Sequence, residues 1–468
     1  MTRGPGEAGL VRALGVWGLA ASIVNITIGG GIFRAPGTME VTGRLGAAAP
    51  LAYIVCAVAM LFVVLCFAEA GSRVALTGGP YAYVERAFGG FAGFTVGWLL
   101  WVTGTIATAA VGTIFADSAQ RMLPGLSSGL GRVGILAVVF GTVTSINVLG
   151  VRFGARLNIA STIAKLLPLG LLIVVGLGRM HAGNLKWHAV PSSGDLTRAS
   201  VFLIFVYAGI ESAIVPSGEI REPARTVPRA VMIALVVVTI VYILVQVVAQ
   251  GVLGPSLAGR SAPLADVAES VMGPIGGAML GVAVVLSTFG YLCGMILAIP
   301  RALFAFARDG VLPFALANVH ERYHTPWVAI IVQASLSLTL ALSSGFEPLV
   351  ILANVSVLFV YLGCAAAAWQ LRRLNIRDDM GAMIKPIPGS AIAAPLAIIL
   401  IIALLTSVTK REWLVAGSCA AVGVLLYSAS PAGWLRARRR EARAGNVVGP
   451  PRRSRAENEP ARSAAENK

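Results

Sequence analysis

The amino-acid sequence predicts an all-α polytopic membrane protein with about twelve transmembrane helices, the first and sixth of them interrupted. Three observations carry that prediction: a composition too apolar for a water-covered surface, apolar stretches recurring along nearly the whole chain, and three consecutive glycines inside the first stretch. Of 468 residues, 57% are hydrophobic and 12% charged, with a mean hydropathy of +0.81. Charge this sparse cannot cover a folded surface in water, so the solvent is lipid. Apolar runs of this length cross a hydrocarbon core about 30 Å thick as helices. A membrane barrel is excluded, because its strands would alternate in polarity over roughly ten residues.

The apolar runs place spans at 14–40, 47–72, 88–119, 132–149, 155–178, 199–218, 230–253, 274–300, 326–344, 347–370, 391–409 and 413–430. Helix breakers stand at the boundaries, among them Gly78-Gly79-Pro80, Pro124-Gly125, Pro223, Pro255, Pro313 and Pro386. The first run follows Arg3 and Arg12, but it is too long for a secretory signal and opens a series of similar spans. The chain therefore divides into a terminal segment at 1–13, a transmembrane domain at 14–430 and a basic tail at 431–468 with too few apolar residues to fold.

An even number of spans puts both termini on one side. With cytoplasmic termini, 26 of the 37 Lys and Arg fall inside, 10 outside and Lys165 within a span, which predicts a multi-pass plasma (inner) membrane protein in that orientation. The net charge of +16 would suit nucleic acid in a soluble protein, but much of it lies in the tail, beside anionic lipid. The bilayer is thus the expected partner, and nucleic acid is not. All five cysteines fall inside apolar segments without a C-x-x-C pair and read as small packing residues.

Gly29, Gly30 and Gly31 interrupt the first span near mid-membrane, each costing a helix about 1 kcal/mol relative to alanine. Unwinding there frees backbone amides and carbonyls, which lipid cannot satisfy, so they must line a cavity that supplies partners such as a polar solute. The sixth span repeats the device with Ala208, Gly209, Glu211 and Pro216. Breaks in corresponding positions of two five-span halves point to a midplane substrate site. Thr27 and Phe205 flank the two breaks and complete the candidate substrate-binding set.

Four segments, GGGIF at 29–33, GGPYAYVERAFG at 78–89, EIREPARTVPRA at 219–230 and RALFAFARDGVLP at 301–313, together make the chain resemble the amino acid-polyamine-organocation (APC) superfamily of transporters. The resemblance runs from about residue 13 to about 430. It implies two inverted five-helix repeats, spans 1–5 and 6–10, plus two peripheral helices, with alternating access around the broken spans. It also implies that amides at Gly29, Gly30 and Gly31 take a substrate carboxylate, that carbonyls freed in spans 1 and 6, at Ala208 and Gly209, take its ammonium, and that Phe205 closes over it. Family members commonly have serine between the outer two glycines, where this chain has Gly30. On the residues alone, Phe205 is equally a packing aromatic.

Two charges lie inside the membrane. A mid-span lysine costs at least about 2.5 kcal/mol, so Lys165 needs a partner or a role. Snorkelling is one reading of it. The resemblance places it where sodium-coupled relatives bind a cation, bridging span 1 to span 8; transport would then be sodium-independent. On the residues, the hydroxyls of Ser287 and Thr288 either meet this ammonium or bond their own helix carbonyls. Glu211 serves either as a proton acceptor or lure for a cationic substrate, or as a permanent strut for the unwound segment. Tyr291 stands where relatives often have a small residue.

His320 and His324 have no third ligand nearby and read as a solvated pair. No P-loop is present, no cofactor or metal is implied, and the short loops leave little room for an enzyme. The expected function is secondary active transport of amino acids by proton symport or substrate exchange. An antiporter of cationic amino acids or polyamines is the alternative, and a transport-inactive sensor or scaffold the alternative of another class. Substrate identity and oligomeric state stay open.

Overall fold

The computed structural model describes residues 14–431 apart from 75, 188–189, 216, 218–219, 377–386 and 407. The terminal segment at 1–13 and the basic tail beyond 431 lie outside the described residues, as does Pro216. Among the described residues, nine helices are long and apolar enough to cross a membrane and three further apolar helices are shorter, in the order the sequence predicts.

Span 1 is built of α1 (Val16–Thr27) and the single turn α2 (Gly31–Arg34). Spans 2 to 5 are α3 (Ala49–Arg73), α5 (Gly90–Met122), α6 (Gly129–Val148) and α7 (Val151–Leu177), with the short α4 (Pro80–Phe88) between α3 and α5. Span 6 is α8 (Ser193–Tyr207) and the turn α9 (Ile210–Ala213), followed by α10 (Pro223–Leu253), the short α11 (Pro263–Met272), and α12 (Pro274–Ala298), which α13 (Pro300–Arg308) extends past Pro300. The stretches predicted as spans 9 to 12 hold α14 (Trp327–Ser343), α15 (Phe346–Arg373), α16 (Ser390–Leu405) and α17 (Lys410–Ala429), of which α15 has the length and hydropathy to cross a membrane.

Prolines that punctuate the sequence open helices here. Pro80, Pro223, Pro263, Pro274 and Pro300 each sit in a first turn, where a missing N–H costs nothing. For that reason α10 starts at Pro223 rather than at the predicted 230, and α4 and α11 occupy stretches that the hydropathy pattern leaves as loops. Their apolar faces pack on the helices that follow them.

The broken spans and α5 are mostly buried, whereas α6, α14, α16 and α17 turn large apolar residues outward, among them Val138, Leu336, Ile399 and Leu425. Such a surface suits lipid. One contact joins the flanks of the two broken spans, and another ties α3 to α16. Leu14, before α1, forms a bridge with Ile220, beyond α9, and its carbonyl accepts Arg221 N–H at 2.8 Å. On α3, Glu69 and Arg73 form a buried ion pair at 2.7 Å. Ser390 Oγ donates to Glu69 Oε2 at 2.9 Å, tying α16 to α3.

Candidate functional site

The first break follows the glycine triplet. Helix α1 stops at Thr27, residues Ile28 to Gly30 are non-helical, and α2 resumes at Gly31. A helix end leaves its last carbonyls without partners, and in lipid each would cost several kcal/mol, on the order of 2–7. Here side chains from three other spans supply them. Lys165 Nζ on α7, itself fully buried, donates to Asn25 O at 2.7 Å, Ile28 O at 2.7 Å and Ser287 O at 3.3 Å. Its three protons thus match three carbonyls. From α12, Ser287 Oγ lies 3.1 Å from Ile28 O and 3.4 Å from Gly29 O. Lys165 bridges spans 5, 1 and 8 without snorkelling.

Ser287 meets Lys165 through its backbone carbonyl rather than its hydroxyl, and Thr288 takes the alternative of bonding its own helix. Its hydroxyl bonds Val284 O at 2.7 Å and Val285 O at 3.1 Å in its own helix, and its methyl faces Gly30. Successive residues on a helix point about 100° apart, so one hydroxyl reaches the break and the other its own helix.

At the second break, α8 stops at Tyr207 and Ala208 is extended. Gly209 follows with φ of 132°, a conformation suited to glycine, and a Cβ there would stand 2.8 Å from Ile26 Cγ2. The two breaks therefore touch. The carboxylate of Glu211 accepts the Gly209 N–H, at 2.9 and 3.0 Å from its two oxygens, and the Tyr361 hydroxyl at 3.0 Å. Tyr242 on α10 lies within hydrogen-bond distance of both breaks, 2.7 Å from Thr27 O and 2.9 Å from Val206 O, with one proton shared between them.

Between the breaks lies a cavity bounded by spans 1, 3, 6, 8 and 10. Thr27, Gly29, Gly30, Gly31, Phe205, Ala208, Gly209 and Glu211 all line it, so the structure brings together every substrate-binding candidate of the sequence. Lys165 and Ser287 stand behind the wall. The Tyr291 ring lies against Gly29 and narrows the cavity from α12. Ile114 Cδ1 sits 2.6 Å from where a Cβ on residue 30 would be, so α5 occupies the space that a serine would use. Among the described residues, Glu211 is the one ionisable acid or base other than Tyr291 on the cavity wall.

Tyr242, Tyr361 and Thr103 are site residues that the sequence does not reveal. A tyrosine or threonine within an apolar span looks like packing, and the only signal is that a buried phenol requires a partner.

A family model described as amino acid permease matches residues 14–425. The chain is 32% identical over 365 residues to the serine/threonine exchanger SteT of Bacillus subtilis (strain 168), across 76% of this chain and 82% of that protein. It is 28% identical over 435 residues to the branched-chain amino acid permease BcaP of the same organism, across 88% of this chain and 92% of the relative. Similarity extends to the large neutral amino acids transporter small subunit 2 of Homo sapiens, 30% identical over 360 residues, 74% of this chain and 65% of that one.

Proposed function

The chain belongs to the amino acid permease family, and on that premise we propose that it exchanges amino acids across the membrane by alternating access, independently of sodium. The carrying observation is which poles of the two breaks the protein itself covers. Lys165, Ser287 and Tyr242 take carbonyls of the first break, and Glu211 takes an amide of the second. Left without intrahelical partners are the amides that open α2 on one side and, past Val206, whose oxygen meets Tyr242, the last carbonyl of α8 on the other. Facing one cavity, these suit a carboxylate and an ammonium, the two charged ends that every amino acid shares.

Sodium independence rests on Lys165, whose fixed charge occupies the carbonyls that a bound cation would need. Exchange is favoured over proton symport because the acid on the cavity wall, Glu211, is engaged as a strut by Gly209 and Tyr361. The same engagement weakens the cationic-substrate alternative. A relative named as a serine/threonine exchanger agrees with this mode. The charge distribution supports cytoplasmic termini, and the membrane is assigned as the plasma membrane in the absence of an organelle signal in the sequence.

The test is uptake of a labelled amino acid panel into proteoliposomes, with and without internal amino acid, in sodium or choline buffer and across a pH gradient. Uptake is expected to require internal amino acid and to ignore sodium. Strict sodium dependence would overturn the proposed role of Lys165. Complete absence of uptake would leave the sensor or scaffold reading.

A further inference from the structure

Two hydroxyls on the cavity wall lack partners. Thr27, at the end of α1, is 4% exposed and Thr103, on α5, is 5% exposed, and neither Oγ1 has a hydrogen-bond partner among the described residues. Both line the cavity between the broken spans. A threonine in a membrane helix ordinarily bonds a carbonyl one turn back. Along α5 itself Thr95 bonds Phe91 O at 2.9 Å, Thr105 bonds Trp101 O at 2.7 Å and Thr108 bonds Gly104 O at 2.6 Å. Thr103 does not follow its neighbours. A buried hydroxyl without a partner is unfavourable, and it persists where something outside the protein completes it.

The α5 and α15 sides of the wall carry the short residues Gly104, Ala107 and Ala353, Ser212 adds a further hydroxyl, and Phe205, Met295 and Tyr291 limit the space. Among the described residues no uncommitted ionised group faces the space, so a charged side chain would find no counter-ion from them. We propose that Thr27 and Thr103 form a subsite for the substrate side chain, and that the preferred substrates are small, uncharged amino acids bearing a hydroxyl, of the serine and threonine kind. This rests on the transport reading given above and adds the side-chain class to it. The breaks hold the charged backbone that all amino acids share; the two hydroxyls select among them.

The isosteric pair L-threonine and L-valine isolates the effect, since the two differ by a hydroxyl against a methyl. In proteoliposomes loaded with unlabelled amino acid, wild-type protein is expected to favour threonine by at least about tenfold, because a site that bonds a substrate hydroxyl rejects the analogue lacking it. Thr103→Val should bring the ratio to within about twofold of unity, mainly through lost threonine uptake, and Thr27→Val should move it the same way. Thr103→Ser, which keeps the hydroxyl, should retain the preference and controls for damage to α5. Purified protein should be stabilised against heating by threonine more than by valine, a readout that needs no transport.

Equal uptake of valine and threonine by the wild type, or an unaltered ratio in Thr103→Val, would overturn the subsite while leaving the transport reading intact. Absence of uptake for every amino acid tested would overturn both.

Discussion

The two broken spans solve one problem with opposite chemistry. In span 1 the chain ends a helix in lipid and must satisfy carbonyls, and it does so with a cation, Lys165, at 2.7 Å from two of them. In span 6 the group covered by a charge is an amide, and the partner is an anion, Glu211, at 2.9 Å from Gly209 N. Helix C-termini favour positive charge and N-termini negative, so each residue is matched to the pole it meets. The lesson lies in what remains. Each break keeps backbone groups of the pole its charged residue does not touch, Val206 O apart, which meets Tyr242, and these groups are of opposite sign, as a zwitterion requires.

Variants can break this arrangement at graded cost. Lys165→Met should be the most damaging, since it removes the shared donor of three carbonyls in an apolar interior; a loss of at least about 3 kcal/mol of stability and no measurable exchange are expected, read as thermal stability and counterflow. Gly209→Ala comes next, because its Cβ would meet Ile26 and its φ of 132° disfavours a side chain. A fall of at least about thirtyfold in exchange rate is expected at near-normal expression.

Glu211→Gln sharpens the contrast, because the amide oxygen can still accept from Gly209 N and Tyr361 but carries no charge. Exchange should drop about tenfold while the shape of its pH profile stays as in wild type. A flattened profile would instead assign Glu211 to proton movement. Smallest is Tyr361→Phe, which removes one hydrogen bond at 3.0 Å. A loss of about 1 kcal/mol, near fivefold in rate, should appear, and the double variant with Glu211→Gln should be less than additive.

How much of this was legible in the sequence depends on how strongly each residue violates its surroundings. Gly29 to Gly31 are conspicuous because glycine runs oppose helix, and Lys165 because an ammonium opposes lipid. The order of the spans follows from hydropathy for the same reason. The partners of those residues are far less visible. Tyr242 joins both breaks and Tyr361 holds Glu211, yet a tyrosine in an apolar span gives the same pattern whether its hydroxyl is idle or essential. Thr103 is hidden more deeply, since Thr105 and Thr108 beside it bond their own helix, and only the fold distinguishes them. Ser287 and Thr288 are adjacent and chemically alike; helix geometry alone sends one to the break and the other to its own backbone.

The central claim, that the uncovered poles of the two breaks hold the two charged ends of one amino acid, can be tested most directly by competition. Uptake of labelled L-threonine would be measured against unlabelled L-threonine, its methyl ester and its N-acetyl derivative. Both derivatives should compete at least about a hundredfold more weakly, because each lacks one charge and leaves one pole bare. Competition by either derivative as strong as that of threonine itself would contradict the account.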